Sequence, residues 1–290
     1  MKFITAVFFF IFIWLFALIP FFVLYKISNV FYILLYHVFG YRKKIILKNL
    51  KECFPNKNEN EINTLLPTVY KNLTDNILEG IKAFTMTSKQ IVKRHKVVNP
   101  EIFEEYLKKE QSIIAVAGHY GNWEWGSISA SLQTDFNMVA LYKPLSNKII
   151  DNFIRKSRQR SGTVLASMFE TSETFKKYKD IPSVFLMAAD QSPGRKYIEN
   201  AHWVTFLGRD TAFLHGPEKY AKNNNYPVMY VDVQRIRRGY YEVELSILAD
   251  NPLELKDGEL TARFASKLES VINKEPANWL WSHNRWKLKR

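Results

Sequence analysis

The spacing of apolar and polar positions changes twice along this chain. From Phe3 to Tyr25 there is no charged residue and nearly every side chain is apolar. A helix of that length can cross a bilayer, which takes about 20 residues. Val30 to Phe39 is also apolar but too short to span, and reads as an aromatic-rich interfacial helix or an ordinary core helix. Residues 42 to 95 then carry apolar positions at helical spacing: Arg42 to Phe54, stopped by Pro55-Asn56, and Glu59 to Phe84 as one or two amphipathic helices.

From Glu101 the rhythm becomes alternating helix and strand. Helices are expected over Ile102–Lys109, Asn122–Leu132, Asn147–Arg160, Thr171–Tyr178, Gly216–Asn223 and Leu260–Asn273. Strands are expected over Ile113–Ala117, Asn137–Tyr142, Thr163–Ala166 and Ser183–Ala188. Pro227–Val233 and Tyr240–Leu248 form a hairpin through Arg238-Gly239. This alternation predicts an α/β fold around a central sheet. Three segments follow: 1–28 as a membrane anchor, 29–100 as an interfacial and helical segment, and 101–290 as the α/β domain.

Composition narrows the partners. The 290 residues have 47% hydrophobic content, enough for one large core, and a formal net charge of +13. Such a surplus points to an anionic partner: nucleic acid, anionic lipid or an acidic carrier protein. The apolar N-terminus favours a membrane over nucleic acid. A cleaved signal peptide is the alternative, but only Lys2 precedes the run and no small-x-small cleavage site follows it. Lys26, Arg42, Lys43, Lys44 and Lys48 come next, which places the body on the cytoplasmic side. The single cysteine, Cys53, cannot form an internal disulfide and fits a reducing compartment.

Candidate chemistry gathers at strand ends. His119 and Glu124 stand in Gly118-His119-Tyr120-Gly121-Asn122-Trp123-Glu124, where the strand Ile113–Ala117 hands over to a helix. Open α/β sheets place ligands at such edges. A carboxylate beside an imidazole fixes its tautomer, leaving the other ring nitrogen to act as a base. The alternative is a packed or capping histidine. Gly118 and Gly121 let the backbone turn sharply or approach a ligand, and Asn122 can cap the next helix. A second group is Lys143-Pro144 with Arg155, Arg158 and Arg160, either phosphate ligands or a solvated helix face. A third is Asp190-Gln191 within Ala189–Gly194, either facing the crevice of His119 or supplying turn chemistry. The tail Pro276–Lys287, with Trp279, Trp281 and Trp286, is an interface clamp or a packing segment. There is no Gly-x-Ser-x-Gly, no phosphate-binding glycine loop, no His-Glu-x-x-His and no cysteine pair. Serine hydrolysis, nucleotide binding and zinc therefore lack support.

These blocks together resemble the late lauroyl/myristoyl acyltransferases of bacterial lipid A biosynthesis, within the lysophospholipid acyltransferase superfamily. His119-Tyr120-Gly121-Asn122-Trp123-Glu124 is similar to that family's His-x4-Asp/Glu motif. Ala189-Asp190-Gln191 with Val204–Gly208, and Trp279–Lys287, are similar to its later blocks; Asn284 stands where the family often has Arg. The resemblance implies a glycerolipid-acyltransferase-like mixed sheet flanked by helices. It also implies acyl transfer from acyl carrier protein to a hydroxyl of a lipid A precursor at the bacterial inner membrane, with no metal or cofactor. His119 would be the general base and Glu124 its orienting partner. Gly121, Asn122, Arg158, Arg160, Asp190 and Gln191 would bind substrate, with amides near Gly121 or an arginine facing the oxyanion. Other membrane lipids as acceptors, a thioesterase, and a non-enzymatic lipid-binding protein are the competing readings.

Overall fold

The computed structural model describes residues 2–290. Two helices open the chain, α1 (Lys2–Ala17) and α2 (Phe21–Ile33), the latter continuing as a π-helical turn over Leu34–Val38. The single helix expected over Phe3–Tyr25 is thus broken. Pro20 has no N–H to continue a helical ladder, and it restricts the residue before it. The segment Phe21–Val38 is long and apolar enough to cross a membrane. Lys82 stabilises the break from below: its buried ammonium donates to the terminal carbonyls of α1, Phe16 O and Ala17 O, at 3.3 and 2.8 Å.

Next come α3 (Lys43–Cys53), the long α4 (Glu59–Ala83) and α5 (Ser88–Arg94). Asn58 and Glu61 form a reciprocal capping box at the start of α4, which satisfies orphan N–H groups there. The alternating part contains α6 (Glu101–Lys108), α7 (Trp123–Ser129), α8 (Lys148–Gln159), α9 (Thr171–Lys177), α10 (Gly216–Asn224) and α11 (Glu259–Lys274). The strands are β1 (His95–Val97), β2 (Ile113–Ala117), β3 (Asn137–Tyr142), β4 (Val164–Ser167), β5 (Ser183–Ala188), β6 (Ala201–Phe206), β7 (Arg209–Leu214), β8 (Val228–Arg237) and β9 (Tyr240–Ala249).

Seven strands form one mixed sheet in the order β1-β9-β8-β2-β5-β3-β4; only β8 and β9 are antiparallel. Every residue of β2, the central strand, is buried. Its side chains alternate between two cores, as the two-residue period requires. Ile114 and Val116 join Phe185, Tyr230, Leu268 and Trp281 on one face. Ile113 and Ala115 join Trp125, Met229 and Phe103 on the other.

Three strands depart from the sequence expectation. β1 begins at the last residue of the stretch read as helical and pairs with β9 through Val97↔Val243. β6 and β7 form a separate hairpin over residues for which no element was expected.

The outer surface of α1, α2 and the turns that adjoin them is strongly apolar. Phe8, Trp14, Leu18, Phe22, Val38 and Phe39 are all more than 60% exposed. A contiguous apolar surface of this kind marks a membrane or partner contact. The inner face of α2 is tied to the body. Leu24 is fully buried, and Ser28 Oγ donates to Asp75 Oδ1 at 2.6 Å.

Candidate active site

The register of the central strands assembles the site. β2 and β5 run parallel with Ala117 opposite Ala188, so the residues that follow each strand emerge side by side. The Ala189 N–H still donates to Ala117 O, and one step further His119 meets Asp190. Nδ1 of His119 donates to Asp190 Oδ1 at 2.5 Å, and the His119 amide donates to Asp190 Oδ2 at 2.9 Å. Trp279 Nε1 adds a third donor to Oδ2 at 2.7 Å. Asp190 is 2% exposed. Burial raises its pKa, but the His119 and Trp279 donors outweigh this and hold it at about 2.

On the other side of the imidazole, Gln191 Nε2 donates to His119 Nε2 at 3.0 Å. The ring is therefore arranged as the tautomer with hydrogen on Nδ1 and a lone pair on Nε2. Burial lowers the pKa of His119, yet the Asp190 carboxylate, its hydrogen bond and the field of Glu124 raise it overall above 6.5.

Two glycines make the approach possible. A Cβ on Gly118 would lie 2.7 Å from Leu268 and 3.5 Å from Asp190 Oδ2. Gly121 has φ +58°, and a Cβ there would lie 2.3 Å from the carbonyl oxygen of Val233. At Gly121 the obstacle is backbone and no side chain fits; at Gly118 the Leu268 side chain would have to shift.

The arrangement corrects several expectations. Among the described contacts Glu124 makes no hydrogen bond to His119: it sits on the first turn of α7 and pairs with Arg158. The orienting position is taken by Asp190, which the sheet register delivers from 71 residues away. Gly121 N–H donates to Asn278 O, so that amide is not free to face an oxyanion; Gly121 O accepts from Asn76. Asn122 caps α7 through Trp125 N and donates to Glu79 Oε2 at 2.7 Å; it is buried and positions the loop rather than a ligand. Arg160 spends its guanidinium on the carbonyls of Ala83, Phe84 and Met86, where α4 ends. Arg155 and Lys143 are exposed. Of the other residues expected to bind substrate, Asp190 instead holds His119, Gln191 lies against His119 Nε2, and Arg158 stands beside Glu124 in the wall of a groove with Trp123 and His283.

The tail is a packing segment that also carries polar groups to the site. Trp281 is buried and Trp286 donates to Thr211. Tyr120 pairs with Trp279 in an isolated antiparallel bridge that holds the tail beside the site. His283 Nε2 accepts from Ser192 N, and burial depresses its pKa to about 4. It is therefore neutral at physiological pH. Arg285 is buried against the Phe213 ring at 4.3 Å.

A further residue, Glu79, carried no sequence signal beyond its place in an amphipathic helix. It is fully buried and accepts from Tyr25, Asn122 and Tyr241. It thereby ties α2, the His119 loop and the sheet together. Burial pushes its pKa up to about 7.

The metal-like cluster among the described residues lies elsewhere. Ligand atoms of His202, Glu218 and Asp257 come within 4.8 Å of one another. Glu218 already accepts from Gly258 N, Thr261 N, Thr261 Oγ1 and Lys222 Nζ, so its charge serves the start of α11.

Comparison with known proteins shows the family. The bacterial lipid A biosynthesis acyltransferase family model matches residues 2–288. The lipid A biosynthesis lauroyltransferase of Escherichia coli (strain K12) is 23% identical over 278 residues, covering 95% of this chain and 89% of that protein. The lipid A biosynthesis acyltransferase of Haemophilus influenzae is 25% identical over 251 residues, covering 85% and 78% respectively. With its histidine–carboxylate pair at the ends of adjacent parallel strands and a family match over nearly its whole length, the chain belongs to the bacterial lipid A biosynthesis acyltransferase family.

Proposed function

We propose that the protein transfers a fatty acyl chain from acyl carrier protein to a hydroxyl of a lipid A precursor, at the cytoplasmic face of the bacterial inner membrane. The observation that carries this reading is the His119 imidazole, held by Asp190 on Nδ1 and presenting Nε2 toward Gln191 beside an open groove. His119 Nε2 removes the proton of the acceptor hydroxyl as its oxygen attacks the thioester carbonyl. The buried Asp190 carboxylate stabilises the imidazolium that forms. Collapse of the tetrahedral intermediate breaks the carbon–sulfur bond, and the imidazolium returns the proton to the departing sulfur. The enzyme supplies no nucleophile of its own.

Arg158 is the proposed cationic contact for the oxyanion or an acceptor phosphate. Its pairing with Glu124 engages one of its terminal nitrogens and holds the planar group at the groove wall. The proposed membrane contact is the outward apolar face of α1 and α2, with Lys26 within α2 and Arg42, Lys43, Lys44 and Lys48 after it, which suit anionic lipid. The +13 net charge suits an acidic carrier protein.

The test is mass spectrometry of products formed from acyl–acyl carrier protein with and without a lipid A precursor. Acylated lipid appearing only when both are present is the expected outcome. Free fatty acid alone would make the protein a thioesterase, and transfer only to another membrane lipid would reassign the acceptor.

A further inference from the structure

On α4, Thr68, Lys71, Asn72 and Asp75 are spaced three or four residues apart and share one side of the helix, away from the side that carries Leu73, Ile77 and Gly80. Across from them stand Asn29, Tyr32 and Ile33 of α2, spaced in the same way. With Arg235 and Arg238 at the β8–β9 turn, these two helix sides enclose an open cavity of about 480 Å³. That volume lies within the usual range of small-molecule sites, roughly 300–1,000 Å³.

The lining holds three cations, Lys71, Arg235 and Arg238, against one carboxylate. Asp75 is 1% exposed and accepts from Arg235 Nη2 at 2.6 Å and from Nε and Nη2 of Arg238 at 2.9 and 2.6 Å. One carboxylate balances one guanidinium, so the second arginine and Lys71 are surplus charge. Lys71 Nζ lies 5.3 Å from the centre of the Tyr32 ring and makes no ion pair among the described residues. The turn itself, Arg235-Ile236-Arg237-Arg238-Gly239-Tyr240, has no acidic residue, and Arg94 donates to Gly239 O at 3.1 Å. Like charges gathered at partly buried positions are costly unless an anion joins them. A phosphate group, with several acceptor oxygens, fits guanidinium forks and an ammonium together.

The surroundings select a lipid as the source of that phosphate. Ile33 lines the cavity and is itself 51% exposed, so the lining runs into the outer apolar surface beside Val30 and Phe31. On the hairpin side Ile236 stands between arginines and is 57% exposed. We propose that this cavity binds the phosphate headgroup of an anionic membrane phospholipid, with its acyl chains along the exposed side of α2. The contacts of Leu24 and Ser28 hold α2 lengthwise against the body, which keeps the arginines at headgroup level. The site is separate from the groove beside His119. It rests on the membrane contact proposed above for α2 and not on the acyl-transfer reading.

The experiment counts the lipids retained by the full chain in a neutral detergent, by native mass spectrometry, with dioctanoyl phosphatidylglycerol and dioctanoyl phosphatidylcholine in competition. Phosphatidylglycerol held in preference to phosphatidylcholine is the expected result. Lys71→Gln combined with Arg238→Gln is expected to weaken its retention about tenfold or more, the scale of losing charge-assisted hydrogen bonds. Lys44→Gln combined with Lys48→Gln removes the same charge from exposed positions of α3 and is expected to change retention by less than about twofold, since screening limits distant charges. Should the first pair fail to fold, Lys71→Gln alone keeps the test, because Lys71 is exposed and stands outside the Asp75 ion pairs. No preference for phosphatidylglycerol in the wild type, or equal weakening by both pairs, overturns the site. Displacement of the lipid by an equal concentration of inorganic phosphate overturns a lipid as its source. Sedimentation with vesicles of phosphatidylcholine alone and of phosphatidylcholine with phosphatidylglycerol tests the membrane contact separately. Binding to neither overturns the contact of α2 itself, whereas binding to vesicles without headgroup preference in detergent overturns only this site.

Discussion

Asp190→Asn keeps the shape of the side chain but removes the charge that faces His119 Nδ1. The expected loss in kcat/KM is about 10²- to 10⁴-fold, as for a general base deprived of its orienting charge. His119→Ala should lose at least as much with the fold intact; near-normal turnover by that variant would end the mechanism. The pH profile gives an independent check. A base must be neutral to act, and the His119 pKa is raised above 6.5, chiefly by Asp190 working against burial. Activity should therefore rise with pH along a limb lying above 6.5, and Asp190→Asn should move that limb to lower pH. A flat wild-type profile between about 6 and 8 would contradict the assignment. Arg160 makes a contrasting case. Its three carbonyl contacts are structural, and the residue is exposed, so Arg160→Ala should lower stability by about 1 kcal/mol. Kinetics with phosphorylated and dephosphorylated acceptor should be affected equally, which can be read from KM for each lipid.

At the scale of elements, the question is what the first two helices do. Deleting residues 1–19 removes α1 and leaves the Lys82 ammonium without its carbonyl partners. Deleting 1–28 also removes buried Leu24, the Tyr25 bond to Glu79 and the Ser28 bond to Asp75. The longer deletion should therefore cost far more stability than the shorter one, read as Tm in matched detergent. Both should weaken sedimentation with anionic vesicles. Equal Tm values would show that α2 is a detachable anchor. Glu79, where α2, α4, α7 and the sheet meet, gives a pH signature. Its folded pKa of about 7 lies above the ordinary carboxylate value near 4.5. Between those values the folded state holds more protons than the unfolded one. Stability must then fall as pH rises through this window. Glu79→Gln should flatten that part of the stability–pH curve relative to wild type, measured by denaturant unfolding; parallel curves would remove Glu79 as the cause.

For the whole molecule, the surplus of positive charge acts at long range. Attraction to an acidic donor carrier should operate mainly on encounter and weaken as salt shortens the Debye length from about 10 Å at 0.1 M to about 3 Å at 1 M. The donor KM should therefore climb with salt while kcat changes little. The same acyl chain on a small neutral thiol should show a much weaker dependence. Equal salt effects on both donors would remove the carrier from the argument.

Much of the architecture was written in local pattern. β2, β3 and β5 fall on the expected residues because each is a short apolar run bounded by turn formers, and α8, α9, α10 and α11 differ from expectation by only one or two residues at either end. β1 was hidden because three residues carry no periodicity and take their structure from β9. The β6–β7 hairpin turns at Leu207-Gly208, where Leu207 adopts φ +51°, a conformation that its side chain does not advertise. His119 and Asp190 were both legible as strand-end residues, but their relation was not. The sequence neighbour Glu124 offered the obvious carboxylate, whereas the pairing of Ala117 with Ala188 placed Asp190 against the imidazole. Local order along the chain determines where strands end and which residues stand there. Which strand lies beside which is decided by burying both faces of one sheet, and only that packing chose the partner of His119.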